Sequence, residues 1–318
     1  MTLKILGTGR GIPRKVITND ELASLVDTSD EWIVSRTGIK SRHICTSETL
    51  TDLSATAASE ALDKAGMHIS EVEMIMCATI GGDQITPSLA CAVAERLGAN
   101  CPAFDINGAC SGFIYGLDVA SAYFAAQKNN NILLICGEMM SRYADWQDRS
   151  TCVLFGDGAG AVLLAPGDAL RYINLTANGD TKSLFIPEGN GNNPFACTRL
   201  ERGFLHMDGQ EIFKFAVNMV ERQVGLALDK LLISADEVDY YILHQANKRI
   251  IDSARNRLGQ PAEKFPININ RYGNISSATI PILLDEMLED GLIKPGHTLL
   301  MSAFGAGLTT GTCVMVWD

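Results

Sequence analysis

The chain lacks the marks that would assign it to a membrane, a secretory route, a metal or a nucleic acid. No window approaches the roughly 18 uninterrupted apolar residues of a membrane span, so no membrane insertion is expected. The opening Met1-Thr2-Leu3-Lys4-Ile5 reads as a first strand, not a signal peptide, and the cytoplasm is the expected compartment. No C-x-x-C pair and no run of histidines at ligand spacing is present. The nine cysteines are an odd number and scattered, which supports neither a disulfide framework nor a zinc site; free thiols in a reducing compartment are expected. Basic residues are in deficit, 26 Lys and Arg against 37 Asp and Glu, and a net charge of −11 argues against nucleic acid as a partner. With 20% charged and 47% hydrophobic residues over 318 positions, the chain can bury a large core, organised as two domains or one doubled one.

What is present is a sequence written twice. Ala61-Leu62-Asp63-Lys64 returns as Ala227-Leu228-Asp229-Lys230, Glu71-Val72 as Glu237-Val238, and Leu133-Leu134 as Leu299-Leu300, each 166 residues downstream. Arg96-Leu97-Gly98 returns as Arg257-Leu258-Gly259 after 161, as small loop changes allow. Both halves close on a glycine-rich hairpin, Phe155-Gly156-Asp157-Gly158-Ala159-Gly160 and Phe304-Gly305-Ala306-Gly307. An internal duplication of an α/β unit follows, with halves at 1–168 and 169–318. Each half runs helix, strand, helix, strand: Thr51 to Ala65, Val72 to Ala78, Ser88 to Leu97 and Pro102 to Asn107 in the first. In the second these are Gln210 to Leu232, Val238 to Leu243, Asn247 to Leu258 and Phe265 to Asn270. The strands are apolar throughout, as in sheets covered on both faces. The Gly-, Asn- and Pro-rich stretch from about Arg171 to Asp208 breaks the rhythm and is expected to join the halves while lining a site.

Ligands of α/β sheets gather beyond the carboxyl ends of strands, so the residues just after each strand are the candidates. Cys110 follows one strand and opens a helix at Ser111-Gly112-Phe113, where unpaired N–H groups and the helix dipole favour thiolate. His244 ends the apolar Tyr241-Ile242-Leu243, unlike the other four histidines, which lie in polar or loop contexts. Asn274 starts the helix Ile275 to Glu289, and the repeat sets it across a pseudo-twofold axis from Cys110. Taken singly, a buried cysteine or histidine is more often structural. The duplication is what directs all three to one centre.

Six stretches then carry a resemblance: Asp27-Thr28-Ser29-Asp30-Glu31-Trp32-Ile33, Arg36-Thr37-Gly38-Ile39, Gly108-Ala109-Cys110-Ser111-Gly112-Phe113, the first glycine-rich hairpin, His244-Gln245-Ala246-Asn247 and Gly273-Asn274-Ile275-Ser276. In this order they resemble the β-ketoacyl-acyl-carrier-protein synthase III family of thiolase-like condensing enzymes. The resemblance implies an α/β thiolase-like fold, internally duplicated in five αβαβα layers, and a homodimer with a Cys-His-Asn triad on Cys110, His244 and Asn274. It implies acylation of Cys110 by an acyl-CoA primer, then decarboxylative condensation with malonyl-ACP to 3-oxoacyl-ACP, initiating fatty acid biosynthesis. No metal or organic cofactor is expected, since the thioester stabilises the carbanion.

The resemblance also distributes finer roles. Trp32 and Arg149 would sandwich the adenine of CoA, with Thr28, Arg36, Gly209, Phe213 and Asn247 nearby. The amides of Cys110 and Ala306 would hold the oxyanion; Ala306 stands where relatives often carry glycine, and the backbone donor survives that change. Thr86 would cap the partner's acyl pocket and, being small, leave room for branched or longer primers, with Met140, Phe155 and Leu205 as walls. Lys214, Lys248, Arg249 and Arg255 would form a basic patch for an acidic carrier protein. Two rival readings share the constellation: a related condensing enzyme or acyltransferase of secondary metabolism, and a cysteine thioester hydrolase. The hydrolase would need a carboxylate at the triad's strand ends to activate water, and none is visible there.

Overall fold

A computed structural model describes residues 2–191, 193–198 and 200–318; Met1, the first residue of the expected opening strand, lies outside them. The first half supplies β1 (Thr2–Gly11), α1 (Leu50–Ala65), β2 (Ile75–Ala78), α2 (Leu89–Leu97), β3 (Ala103–Ile106), α3 (Gly112–Ala125), β4 (Ile132–Met139) and β5 (Asp157–Gly167). The second supplies β6 (Leu170–Asp180), α4 (Gly209–Leu231), β7 (Tyr240–Leu243), α5 (Lys248–Leu258), α6 (Thr279–Glu289), β8 (Thr298–Gly305) and β9 (Gly307–Val316). One sheet runs β1-β5-β4-β2-β3 and the other β6-β9-β8-β7, the same order with one strand fewer.

The period of two along each strand builds the layers. On β4, Leu133 and Ile135 face a cluster formed with α1 and α2, while Leu134 and Cys136 face α3 and α6. The second sheet divides likewise. Ile242, Met301 and Met315 join the α3/α6 layer, and Tyr241, Leu300 and Val314 pack on α4 and α5. The result is the five-layered αβαβα arrangement, with α3 and α6 sandwiched between the sheets. Each fully buried Leu or Ile there contributes about 1.5–3 kcal/mol relative to exposure. The layers sit close because residues are small where they meet: a Cβ on Gly9 of β1 would stand 2.3 Å from the Ala57 carbonyl oxygen of α1.

Two expectations are corrected. The segment Phe265 to Asn270 is not a strand: a single turn at Ala262–Lys264 precedes it and a short helix, Ile269–Tyr272, ends it. Pro266 has no N–H to give a ladder. The Asn268 N–H donates to Gln245 Oε1 (3.2 Å) and its Nδ2 to Glu286 Oε2 (2.8 Å), so side chains satisfy what strand pairing would have. The stretch from Arg171 is not all linker either, since β6 pairs antiparallel with β9 at the sheet edge. Its half-buried residues carry little apolar signal.

Candidate active site

The chain between β3 and α3 is tightly wound. Ala109 adopts φ +48°, a left-handed conformation costing roughly 1–2 kcal/mol in a non-glycine residue, and Asn107 Oδ1 accepts its N–H at 3.1 Å. A single turn, Ala109–Ser111, follows, so Cys110 stands just before α3 and is half-buried. Gly305, at the end of β8, lies directly against it: a Cβ there would come within 2.7 Å of the Cys110 nitrogen.

His244 continues β7, its N–H donating to the Ser302 carbonyl at 2.9 Å, and its ring meets Phe304 edge-on at 5.4 Å. Nδ1 lies 2.7 Å from the Thr279 hydroxyl, whose other acceptor, the Ser276 carbonyl, is 3.1 Å away. A hydroxyl proton given to Nδ1, the shorter contact, leaves the ring proton on Nε2; one given to the Ser276 carbonyl leaves it on Nδ1. Asn274 is fixed at both backbone groups: its N–H donates to the Leu154 carbonyl (2.8 Å) and its carbonyl accepts from Gly156 (3.1 Å). Its Oδ1 accepts from the Ser276 N–H at 2.8 Å, which identifies Nδ2 as the end of the amide free to donate.

These three side chains, one from the first half and two from the second, line a single cavity of about 360 Å³ together with Ala306, Gly209, Phe213 and Asn247. The walls include Met140, Phe155 and Leu205, which pack as one cluster with Tyr143. Thr86 is exposed and does not line the cavity of the single chain.

Burial opposes the expected thiolate. Burial pushes the Cys110 thiol up to about 12, against a lesser opposing effect of a hydrogen bond from Ser276, and the Glu138 charge adds to the rise. Desolvation works against the helix start, because a thiolate loses water that a turn of amides only partly replaces. Burial also presses His244 down to about 3. Burial thus favours the neutral form of both the thiol and the imidazole.

Around the mouth, Trp32 is contacted by two guanidiniums, Arg36 at 4.7 Å and Arg149 at 5.2 Å from the ring centroid. Arg149 is tied to the Asp27 carbonyl at 2.7 Å. A base held between Trp32 and Arg149 needs a gap of about 7 Å, two ordinary stacking contacts, so Arg149 must swing outward to admit one. The Thr28 hydroxyl is buried without a partner. Asn247 caps α5 through its Oδ1 and donates Nδ2 to the Arg36 carbonyl at 3.1 Å, joining this helix to the segment that carries Trp32 and Arg36.

The basic residues are partly neutralised. Lys214 pairs with Glu211 (2.8 Å), and Lys248 (2.5 Å) and Arg255 (3.9 Å) share Asp252, while Arg249 lies over the Phe213 ring at 5.4 Å. Sequence reasoning missed Thr279 and Glu138. The signal for Glu138 was present: a carboxylate inside the apolar run Ile132–Met139.

The family description 3-oxoacyl-[acyl-carrier-protein] synthase III matches residues 104–180, and its C-terminal counterpart matches 228–317. A β-ketoacyl-[acyl-carrier-protein] synthase III of Clostridium acetobutylicum is 43% identical over 99% of both chains. One from Natranaerobius thermophilus is 44% identical over the same shares. The crystal structure of 3-oxoacyl-[acyl-carrier-protein] synthase III from Aquifex aeolicus superposes with a TM-score of 0.91 at 42% identity, covering 99% of this chain and all of that one.

Proposed function

The chain belongs to the β-ketoacyl-[acyl-carrier-protein] synthase III family, and from that premise we propose that Cys110, His244 and Asn274 carry its condensation. The enzyme is an acyltransferase that joins an acyl-CoA primer to malonyl-ACP with loss of carbon dioxide, the step that initiates fatty acid biosynthesis. The observation that carries the residue assignment is the shared cavity, which gathers a nucleophile and two oriented hydrogen-bond donors from opposite halves of the chain.

Cys110 sulfur attacks the acyl-CoA carbonyl, CoA leaves, and a thioester remains on the enzyme. The amides of Cys110 and Ala306 hold the oxyanion, an arrangement that the close approach of Gly305 to Cys110 supports; one such donor is worth about 3 kcal/mol. Malonyl-ACP then enters. His244 Nε2–H and Asn274 Nδ2–H donate to its thioester oxygen as carbon dioxide departs, and the enolate carbon attacks the acyl-cysteine. The role requires the tautomer with the proton on Nε2, in which the Thr279 hydroxyl donates to Nδ1; burial, which favours the neutral ring, suits it, because the ring then donates without itself being titrated. The chemistry calls for no metal or organic cofactor. CoA would approach past Trp32, Arg36 and Thr28, and the carrier protein past Lys214, Arg249 and their neighbours Lys248 and Arg255. Met140, Phe155 and Leu205 would bound the acyl chain. We place the enzyme in the cytoplasm as a homodimer, with Thr86 of each protomer capping its partner's pocket and the small side chain admitting branched or longer primers.

The division of labour is tested by uncoupled decarboxylation. With malonyl-ACP alone, Cys110→Ala is expected to keep releasing carbon dioxide, while His244→Ala and Asn274→Ala lose it about 100-fold or more. Equal decarboxylation by His244→Ala and the native enzyme would remove His244 from the assigned role.

A further inference from the structure

One short piece of chain stands behind both proposed donors of the condensation. The single turn Ser276–Ala278 joins Asn274 to α6, and every residue of it is buried. Its first residue gives its backbone N–H to Asn274 Oδ1 at 2.8 Å, which fixes the amide. Ser276 does so from φ +46°, a conformation that a serine adopts only where its surroundings impose it. Thr279, the next residue after the turn and the first of α6, is 3% exposed and meets His244.

The Thr279 hydroxyl oxygen has three polar neighbours: His244 Nδ1 at 2.7 Å, the Ser276 carbonyl at 3.1 Å and the Gln245 N–H at 3.4 Å. It has one proton to give and two lone pairs to receive with, and the Gln245 amide can only donate to it. Both ways of spending the proton satisfy a count of hydrogen bonds, and the geometry separates them. The Ser276 carbonyl already accepts the backbone N–H of Thr279 itself, so the hydroxyl proton would go there to a paired group through the longer contact. Nδ1 offers the shorter contact and has no other partner among the described residues. Nε2 has no hydrogen-bond partner among them either, and the ring lines the cavity. Burial, which presses His244 down to about 3, agrees with a neutral ring, the state in which the choice of tautomer matters.

We propose that Thr279 is the positioning residue that makes His244 a hydrogen-bond donor: its hydroxyl gives its proton to Nδ1 and so holds the ring proton on Nε2, free for substrate. The proposal rests on His244 acting as a donor in the condensation. Thr279 touches no reacting atom and acts through the imidazole. The same turn thereby sets both donors, the amide through the Ser276 N–H and the imidazole through the hydroxyl three residues on. A purely structural threonine would instead return its proton to the carbonyl three residues back, a common local bond that leaves Nε2 an acceptor.

The test reads the tautomer and the chemistry separately, in the native enzyme, Thr279→Ser and Thr279→Val; valine keeps the branched shape and removes the hydroxyl. In protein labelled with 15N-histidine, the His244 signals are identified by their loss in His244→Gln. The native enzyme and Thr279→Ser should show the proton bonded to Nε2 and Nδ1 as an acceptor, and Thr279→Val should lose that signature. With malonyl-ACP alone, carbon dioxide release by Thr279→Val should fall about 10-fold in kcat, the worth of one hydrogen bond, with KM within about twofold. Thr279→Ser should restore the rate to within about threefold of native. Acylation of Cys110 by acyl-CoA, which the assigned mechanism runs without the imidazole, should stay within about twofold in both variants. A native spectrum with the proton on Nδ1 overturns the proposal by itself, and that measurement needs no variant of Thr279 to fold. Native decarboxylation by Thr279→Val overturns it too, as does a loss of acylation equal to that of decarboxylation, the mark of a structural role. Undiminished decarboxylation by His244→Ala would refute the underlying role of His244 instead, an outcome distinct from each of these.

Discussion

The approach of β8 to the nucleophile gives a sharp prediction for Gly305→Ala. The added Cβ would sit 2.7 Å from the Cys110 nitrogen, about 0.7 Å short of the 3.4 Å at which ordinary contact begins, and 3.2 Å from Ala109 Cβ. The nearest atom is backbone, so no side chain can rotate away. Relief has to come from separating the end of β8 from the 109–111 turn, and these two segments carry the proposed oxyanion donors. An oxyanion site works only while its donors stay about 2.7–3.1 Å from the developing charge; displacing one forfeits about 2.7–4 kcal/mol, or 100- to 1,000-fold in rate. Overpacking itself costs about 1–3 kcal/mol of stability, which a protein this size tolerates. Acyl-enzyme formation, sampled in a quenched-flow instrument and read by intact mass, should slow at least 100-fold while circular dichroism and gel filtration stay native. Acylation within twofold of the native rate would mean that the juxtaposition of Gly305 and Cys110 has no catalytic consequence.

Further outcomes follow from burial and charge. Glu138 has its pKa raised from 4.5 to about 7 on folding, so the folded state binds more protons than the unfolded between those values and stability falls as pH rises through that window. Glu138→Gln should therefore match the native protein in denaturant stability near pH 4.5 and exceed it by up to about 3 kcal/mol at pH 8; an equal difference at both pH values would contradict this. His244 has the opposite sign. Its pKa falls from 6.5 to about 3, stability drops as pH is lowered below 6.5, and His244→Gln should remove about 2 kcal/mol of that loss at pH 5, measured by the same titration. Arg42 is fully buried and donates to Asn19 Oδ1 (2.8 Å) and the Val153 carbonyl (2.7 Å); Arg42→Ala leaves both acceptors unpaired beside a cavity and should cost at least about 3 kcal/mol in chemical denaturation. Trp32→Ala should raise KM for acyl-CoA about 10-fold with little change in kcat, and an unaltered KM would exclude Trp32 from the CoA site.

Much of this architecture could be read before any coordinates. The 166-residue offset implied two like units, and both sheets repeat one strand order, β1-β5-β4-β2 and β6-β9-β8-β7. Motifs adjacent to strand ends led to Cys110, His244 and Asn274 because local sequence builds those turns. What escaped was set by contacts between distant segments. Ser277 and Glu138 are 139 residues apart, and His244 and Thr279 are 35 apart, so no local pattern links them. The state of the Cys110 thiol escaped for a related reason. The helix start is written in neighbouring residues, whereas the burial that opposes it comes from elements in both halves. The missing strand at 265–270 failed because Gln245 and Glu286, remote in sequence, capture the polar groups of Asn268.

The central claim, a cysteine acylated from CoA and then condensed, is most directly tested in a single pulse and chase. Enzyme incubated with radiolabelled acyl-CoA and freed of small molecules should carry one acyl group per chain, on the peptide containing Cys110. Adding malonyl-ACP should transfer the label to a 3-oxoacyl thioester with one carbon dioxide released per label. Label recovered as free acid, or bound to any residue other than Cys110, would contradict the account.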